Sequence, residues 1–270
     1  MIKNISIIGA GNLARCFIER IITSKKNYKV FLFDVDKKKN KYSSVRNVNF
    51  YPKINQNLSE SQLILLAIKP HDFKSVLKDI VEYGHKKSIV ASLMAGVKLS
   101  IIEKNLNKDF YTARVMTNIN AQFGNAQSFI LLGKSFPKNR MDNLVNFFKL
   151  FGTTTRVNKE GQIDKLTALC GSGPAYFIYF TEIVKDTFKK FGFKENEAEQ
   201  LSKYLFYSTG YTCYHNKNDM KDIRKTVVSK KGTTEAALVM MDKKNIRKVI
   251  MESIDQAYKK SIQLGKRNND

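Results

Sequence analysis

Gly9, Gly11 and Ala14 follow the apolar run Ile5-Ser6-Ile7-Ile8 and precede a helix-like segment from Cys16 to Thr23. A strand, a tight turn and a helix start in this order can hold a pyrophosphate. Gly9 permits the turn, Gly11 lets the backbone approach the phosphates, and Ala14 lets the helix sit tight against the strand. The phosphates then face the free N–H groups and the positive dipole end of that helix. A ribose-binding carboxylate belongs about 20 residues beyond such glycines. Asp34 stands there, at the end of a second strand-like run, Val30-Phe31-Leu32-Phe33. The expectation is a dinucleotide site built from Gly9, Ala10, Gly11, Asn12, Leu13 and Asp34.

The elements that must position these residues are strands alternating with helices. Val48 to Tyr51 reads as a short strand. Leu63 to Ile68 is the strongest strand candidate, its continuous apolar character suiting a strand covered on both faces. It stops at Lys69-Pro70, where proline cannot continue a ladder. Asp72 to Tyr83 carries Phe73, Val76, Leu77, Ile80 and Val81 at the spacing of a helix with one buried face. Ser88 to Leu93, Tyr111 to Met116, Ser128 to Leu132 and Thr153 to Val157 read as further strands, with a helix over Arg140 to Phe151.

This alternation predicts an α/β fold, a Rossmann-type, doubly wound, mostly parallel sheet with ligands at the carboxyl ends of its strands. The loops there add Ala67, Lys69, Pro70, Ala95, Gly96 and Asn118 to the cofactor-binding set. Lys69 would line the nicotinamide side of the cleft or touch phosphate, unless it is simply a solvated lysine before a proline.

Beyond about Glu160 long helical patterns take over: Ile163 to Leu169, Pro174 to Phe191, Glu195 to Tyr214 and Ile246 to Leu264. Ser172 or Gly173 is the expected cap for the helix opened by Pro174, and Gly192 its stop. The division is thus a dinucleotide-binding domain over residues 1–159 and an all-helical domain over residues 160–270. Phe177, Ile178, Phe180, Ile183, Val184 and Phe188 give the helix from Pro174 a wider apolar surface than one supporting stripe requires. A homodimer through the C-terminal helices follows as an expectation.

The 270 residues are 43% hydrophobic, enough for two modest cores and unlike a disordered chain. No apolar run approaches the roughly 18 residues that span a bilayer, and no signal segment opens the chain, so a cytoplasmic protein without membrane contact is expected. Cys16, Cys170 and Cys213 lie too far apart for a metal pattern and leave one over in any pairing. His71, His85 and His215 have no second ligand at helical or hairpin spacing. Neither a metal site nor a disulfide framework is expected. The formal net charge of +23 comes from dispersed short lysine pieces rather than a dense basic arm. Such lysines make a solvated surface that draws in anionic metabolites, and no nucleic-acid partner is expected.

Thr167-Ala168-Leu169-Cys170-Gly171-Ser172-Gly173-Pro174-Ala175-Tyr176 resembles the signature of the pyrroline-5-carboxylate reductases. The resemblance runs over nearly the whole chain. It takes in Gly9 to Ala14, Ala67 to Pro70, Ala95-Gly96-Val97, Arg114-Val115-Met116 with Asn118, and Val227 to Thr234. It implies a reductase that passes hydride from NADH or NADPH to the cyclic imine 1-pyrroline-5-carboxylate, giving L-proline in the last step of its biosynthesis. It also implies that the segment around Ser229, Gly232, Thr233 and Thr234 holds the substrate carboxylate, with Thr234 near the ring nitrogen as the catalytic candidate.

The residue types suit that role, since a hydroxyl-rich turn before the helical pattern Glu235 to Met241 presents backbone N–H groups to a small carboxylate. An ordinary helix cap is the plainer alternative. The chemistry asks little of side chains: a protonated imine is already electrophilic, and the protein must bring the reacting carbons to about 3–3.5 Å and exclude water. A carboxylate at Asp34 favours a free ribose 2′-hydroxyl, hence NADH, while Lys37 to Lys39 offset part of its repulsion for a 2′-phosphate. Two departures from the family pattern stand out. Thr117 replaces the usual proline, and Lys230-Lys231 replace a proline-glycine pair, where lysine tolerates positive φ poorly. Cys170 for serine is a milder change. A related cyclic imino acid as substrate, or a catalytically silent cofactor-binding homologue, are the competing readings.

Overall fold

The computed structural model describes residues 2–267. They divide into two compact units, one running to Ser172 and taking back the chain from Ala257 onward, the other Gly173–Gln256.

In the first unit eight strands form one sheet: β1 Asn4–Ile8, β2 Lys29–Phe33, β3 Val48–Tyr51, β4 Leu63–Leu66, β5 Ile89–Ser92, β6 Tyr111–Met116, β7 Ala126–Leu132 and β8 Gly152–Val157. Their order is β3-β2-β1-β4-β5-β6-β7-β8. All pairs are parallel except β6 with β7. The chain winds outward from β1 in both directions, so the order reverses between β1 and β4. An open α/β sheet takes its ligand at such a reversal.

The strands read as continuous apolar runs because alternate side chains enter two different cores. Ile5, Ile7, Val30, Leu32, Leu63 and Leu65 pack on one face with Phe17, Ile18 and Ile21 of helix α1 Asn12–Thr23 and with Leu144, Phe147 and Phe148 of a helix before β8. Ile8, Phe31, Phe33, Ile64 and Leu66 pack on the other with Phe73, Leu77 and Ile80 of α2 Phe73–Tyr83. Val81, read as part of that buried face, is half exposed. Two further helices follow: α3 Leu99–Leu106, which the sequence reading passed over, and α4 Lys138–Phe148, which closes in a 3₁₀ turn at Phe151.

After β8 comes α5 Glu160–Leu166, then a π-helical turn Thr167–Gly171. The second unit holds α6 Gly173–Lys190, α7 Glu195–His215, the short α8 Met220–Thr226, α9 Thr233–Lys243 and the start of α10 Ile246–Arg267. Ser172 is itself helical, with φ −85° and ψ −19°, so it does not cap a new helix as expected. Gly192 does end α6, at φ +96°. Lys185 of α6 reaches Glu195 and Glu199 of α7, and Lys189 pairs with Glu195 across the same turn.

Candidate functional site

The ends of β1, β2 and β4 lie side by side, as the registers Ile8↔Phe33 and Ile8↔Leu66 require. Gly9 continues the ladder by donating to the Phe33 carbonyl at 2.8 Å, while Ala67 donates to the Ile8 carbonyl at 2.8 Å. Gly9 has φ +92°, and a Cβ there would stand 2.6 Å from the Ala67 carbonyl oxygen. The fold therefore forces glycine at this position. Gly11 differs. Its φ is −70°, open to any residue, and a Cβ on it would meet no protein atom within 4 Å. Nothing in the protein's own packing demands a glycine here, and close approach by a ligand is the physical use that remains.

Gly11 is also the N-cap of α1, a helix with no side-chain cap and no acidic residue in its first turn. Asn12 and Leu13 open that turn, so their N–H groups face an end suited to an anion. Asp34, one residue past β2, accepts from the Ala10 N–H at 2.6 Å and from the Asp36 N–H at 2.8 Å. Its carboxylate is thus fixed across the glycine loop. Lys69 is exposed, and Pro70 opens a 3₁₀ turn after β4. These residues fit a dinucleotide: an approachable backbone, an uncapped helix start and an oriented carboxylate at one sheet edge.

Ala95 and Gly96 form the turn after β5, Ala95 exposed and Gly96 buried at φ +76°. A Cβ on Gly96 would stand 2.8 Å from the Leu264 backbone, so close packing of the end of α10 accounts for this glycine within the unit. Asn118, after β6, is also engaged by the protein. Its Oδ1 accepts from the Asn120 N–H at 3.0 Å, and its Nδ2 donates to the Cys170 carbonyl at 2.9 Å. Thr117, in place of the usual proline, is buried with its hydroxyl 3.0 Å from that of Ser128 on β7. The substitution therefore brings its own partner.

One cluster was not read from the sequence. Arg114 on β6 is 2% exposed and pairs with Glu160 and, at 3.0 Å, with Asp164. Glu160 also accepts from the Leu99 N–H at the start of α3, at 2.6 Å. A buried guanidinium needs such partners. Arginine inside an apolar strand was the available signal; its partners lie 46 and 50 residues away and leave no local pattern.

In the other unit Ser229, Gly232, Thr233 and Thr234 share one turn that runs into α9. Gly232 is its N-cap, without a side-chain cap, and donates to the Ser229 carbonyl at 3.0 Å. A Cβ on Gly232 would collide with the Ser229 hydroxyl, so this glycine holds Ser229 in place. Lys231 sits at φ +60°, the left-handed region, and its N–H donates to Glu235 at 2.6 Å. The turn has kept a glycine's conformation with a lysine in it, at about 1 kcal/mol or more of strain.

A strand order with its reversal at β1 and β4, a glycine turn and an oriented carboxylate define a nicotinamide-dependent oxidoreductase of Rossmann type. Residues 4–96 match the family described as NADP oxidoreductase coenzyme F420-dependent, and residues 160–264 match Pyrroline-5-carboxylate reductase dimerisation. Nearly the whole chain is similar to pyrroline-5-carboxylate reductases, and its C-terminal segment matches their dimerisation family. It is 26% identical to the pyrroline-5-carboxylate reductase of Staphylococcus haemolyticus over 97% of this chain and 98% of that one. The corresponding protein of Staphylococcus saprophyticus is 27% identical at the same coverage. A solved pyrroline-5-carboxylate reductase from Coxiella burnetii shares the fold with a TM-score of 0.85 at 24% identity, over 97% of this chain and 98% of that one. No helix of the described residues is long and apolar enough to cross a membrane.

Proposed function

We propose that this protein reduces 1-pyrroline-5-carboxylate to L-proline with hydride from a nicotinamide dinucleotide. A bound cofactor supplies the hydride; the chain's own residues bind, orient and exclude water. Gly9 to Leu13 and Asp34 hold the dinucleotide, with Ala67, Lys69, Pro70, Ala95 and Gly96 forming the loops around it. Ser229, Gly232, Thr233 and the first N–H groups of α9 hold the substrate carboxylate. Thr234 steadies a hydrogen bond at the ring nitrogen. Binding the acid at an uncapped helix start favours its charge. The observation that carries the reading is that likeness to the named reductases runs through both segments, covering 97% of the chain.

Asp34, tied to Ala10, supports NADH over NADPH because its carboxylate opposes a 2′-phosphate. The neighbouring Lys37 to Lys39 moderate this. The protein acts as a homodimer through its C-terminal helices, with assemblies of dimers as a further level, in the cytoplasm. A second reading, a more acidic or six-membered cyclic imine as substrate, draws support from Lys230 and the strained Lys231 in the carboxylate turn.

Initial rates of cofactor oxidation with five- and six-membered imino acids and with either cofactor test the proposal together. The expected result is turnover of pyrroline-5-carboxylate, faster with NADH. Tight cofactor binding with no turnover of any cyclic imine would mean a silent homologue.

A further inference from the structure

Proline inside a helix deprives the carbonyl four residues earlier of its donor, and its ring crowds that same carbonyl. Pro174 does this to Cys170 in the stretch that joins α5 to α6. The backbone answers with the π-helical turn Thr167–Gly171, in which the Ser172 N–H reaches the Thr167 carbonyl at 2.9 Å. The Cys170 carbonyl receives a donor from outside the helix, the Asn118 amide at 2.9 Å. Asn118 follows β6 at the ligand edge of the sheet and is buried, at 7% exposure. Its other amide atom caps the 3₁₀ turn Ile119–Phe123. Glu160, where α5 begins, is held to the same edge by Arg114 and by the Leu99 N–H. The segment from Glu160 to Gly171 is therefore pinned at both ends to the loops after β5 and β6.

We propose that Asn118 is a positioning residue: its amide holds the π-helical turn Thr167–Gly171 at the ligand edge, so that turnover rather than cofactor affinity depends on it. π-helical turns are rare and concentrate at functional sites. This inference deepens the reductase reading and rests on it for the turnover readout. The role is distinct from the direct cofactor contact that position alone suggests for Asn118.

Three variants of the full-length protein test it. Asn118→Asp keeps the acceptor for Asn120 but turns an oxygen toward the Cys170 carbonyl; Asn118→Ala loses both bonds. Either variant is expected to lower kcat with pyrroline-5-carboxylate about tenfold or more. NADH and NADPH dissociation constants, from fluorescence titration, should stay within about twofold, while amide hydrogen exchange speeds up over residues 167–173. Adding Pro174→Ala to Asn118→Ala returns an N–H to the Cys170 carbonyl without restoring the link to β6. Protection of the turn should recover, and kcat should stay low.

A tenfold loss of cofactor affinity with kcat unchanged would make Asn118 a ligand and overturn the proposal. Recovery of kcat together with protection would reduce it to local helix repair. Should the wild type reduce no cyclic imine, the reductase reading falls, and unaltered exchange over residues 167–173 would still overturn the tether.

Discussion

The two compact units bury their apolar side chains to very different degrees. In the sheet unit the inward residues of β1, β2 and β4 are almost wholly inaccessible, and Phe17 is enclosed with its ring 4.2 Å from that of Phe151. In the helical unit only Gly173, Ala198, Ser202 and Ile223 are buried. Phe177, Phe180, Ile183, Tyr204 and Leu205 are each about half exposed or more, Tyr204 reaching 71%. One unit closes its core from its own sequence. The other leaves an apolar surface open in a segment that matches a dimerisation family, the kind of face that association covers.

The largest expected effects separate these two kinds of stability. Phe17→Ala leaves a cavity in a finished core and should cost about 3–5 kcal/mol, independent of protein concentration. Ile183→Glu alters a side chain that a lone monomer leaves half exposed, and surface changes normally stay within about 0.5 kcal/mol. Here it is expected to abolish self-association in light scattering and lower Tm by several degrees in a concentration-dependent way. A stable, folded wild-type monomer at micromolar concentration would break the comparison.

A smaller effect of opposite sign is expected at the turn before α9. Lys231→Gly removes a left-handed lysine and should stabilise the protein by up to about 1 kcal/mol in chemical denaturation. An unchanged midpoint would show that the strain is relieved elsewhere.

The smallest effect concerns the α6–α7 hairpin. A hydrogen bond from Lys189 holds Glu195 below its ordinary value of 4.5, and one from Lys203 does the same for Glu199. Because these carboxylates have lowered folded values, their contribution is complete above about pH 4.5 and fades as pH falls through the folded values. Lys185, raised chiefly by Glu199, contributes below its ordinary 10.5 and loses this as pH rises through its folded value. Protection of residues 189–197 from hydrogen exchange, taken relative to the intrinsic rate at each pH, should therefore be greatest between these limits. A flat profile would remove the network from the account.

The sheet was legible because strands buried on both faces announce themselves as Ile-, Leu- and Phe-rich runs, and Gly9, Pro52 and Gly133 directly follow β1, β3 and β7. α3 and α8 were not, since each is only seven or eight residues long and α8 buries Ile223 alone. The glycine turn after β1 and the carboxylate across it were legible through Gly9, Gly11 and Asp34, whose spacing is local. Arg114 with Glu160 and Asp164, and Asn118 with Cys170, were not, because each joins residues 46 to 52 positions apart. Pro174 was the missed clue: a helical proline implies a donor from elsewhere for the carbonyl four residues before it.

The central claim is a division of labour, with the dinucleotide gripped by the sheet unit and the acid by the turn before α9. Steady-state kinetics of Gly11→Val and Ser229→Ala test it most directly, because a Cβ at position 11 would meet no protein atom within 4 Å. The account predicts a cofactor KM raised at least tenfold in Gly11→Val with the imine KM held, and the reverse in Ser229→Ala. Unaltered cofactor KM in Gly11→Val, or unaltered imine KM in Ser229→Ala, would contradict it.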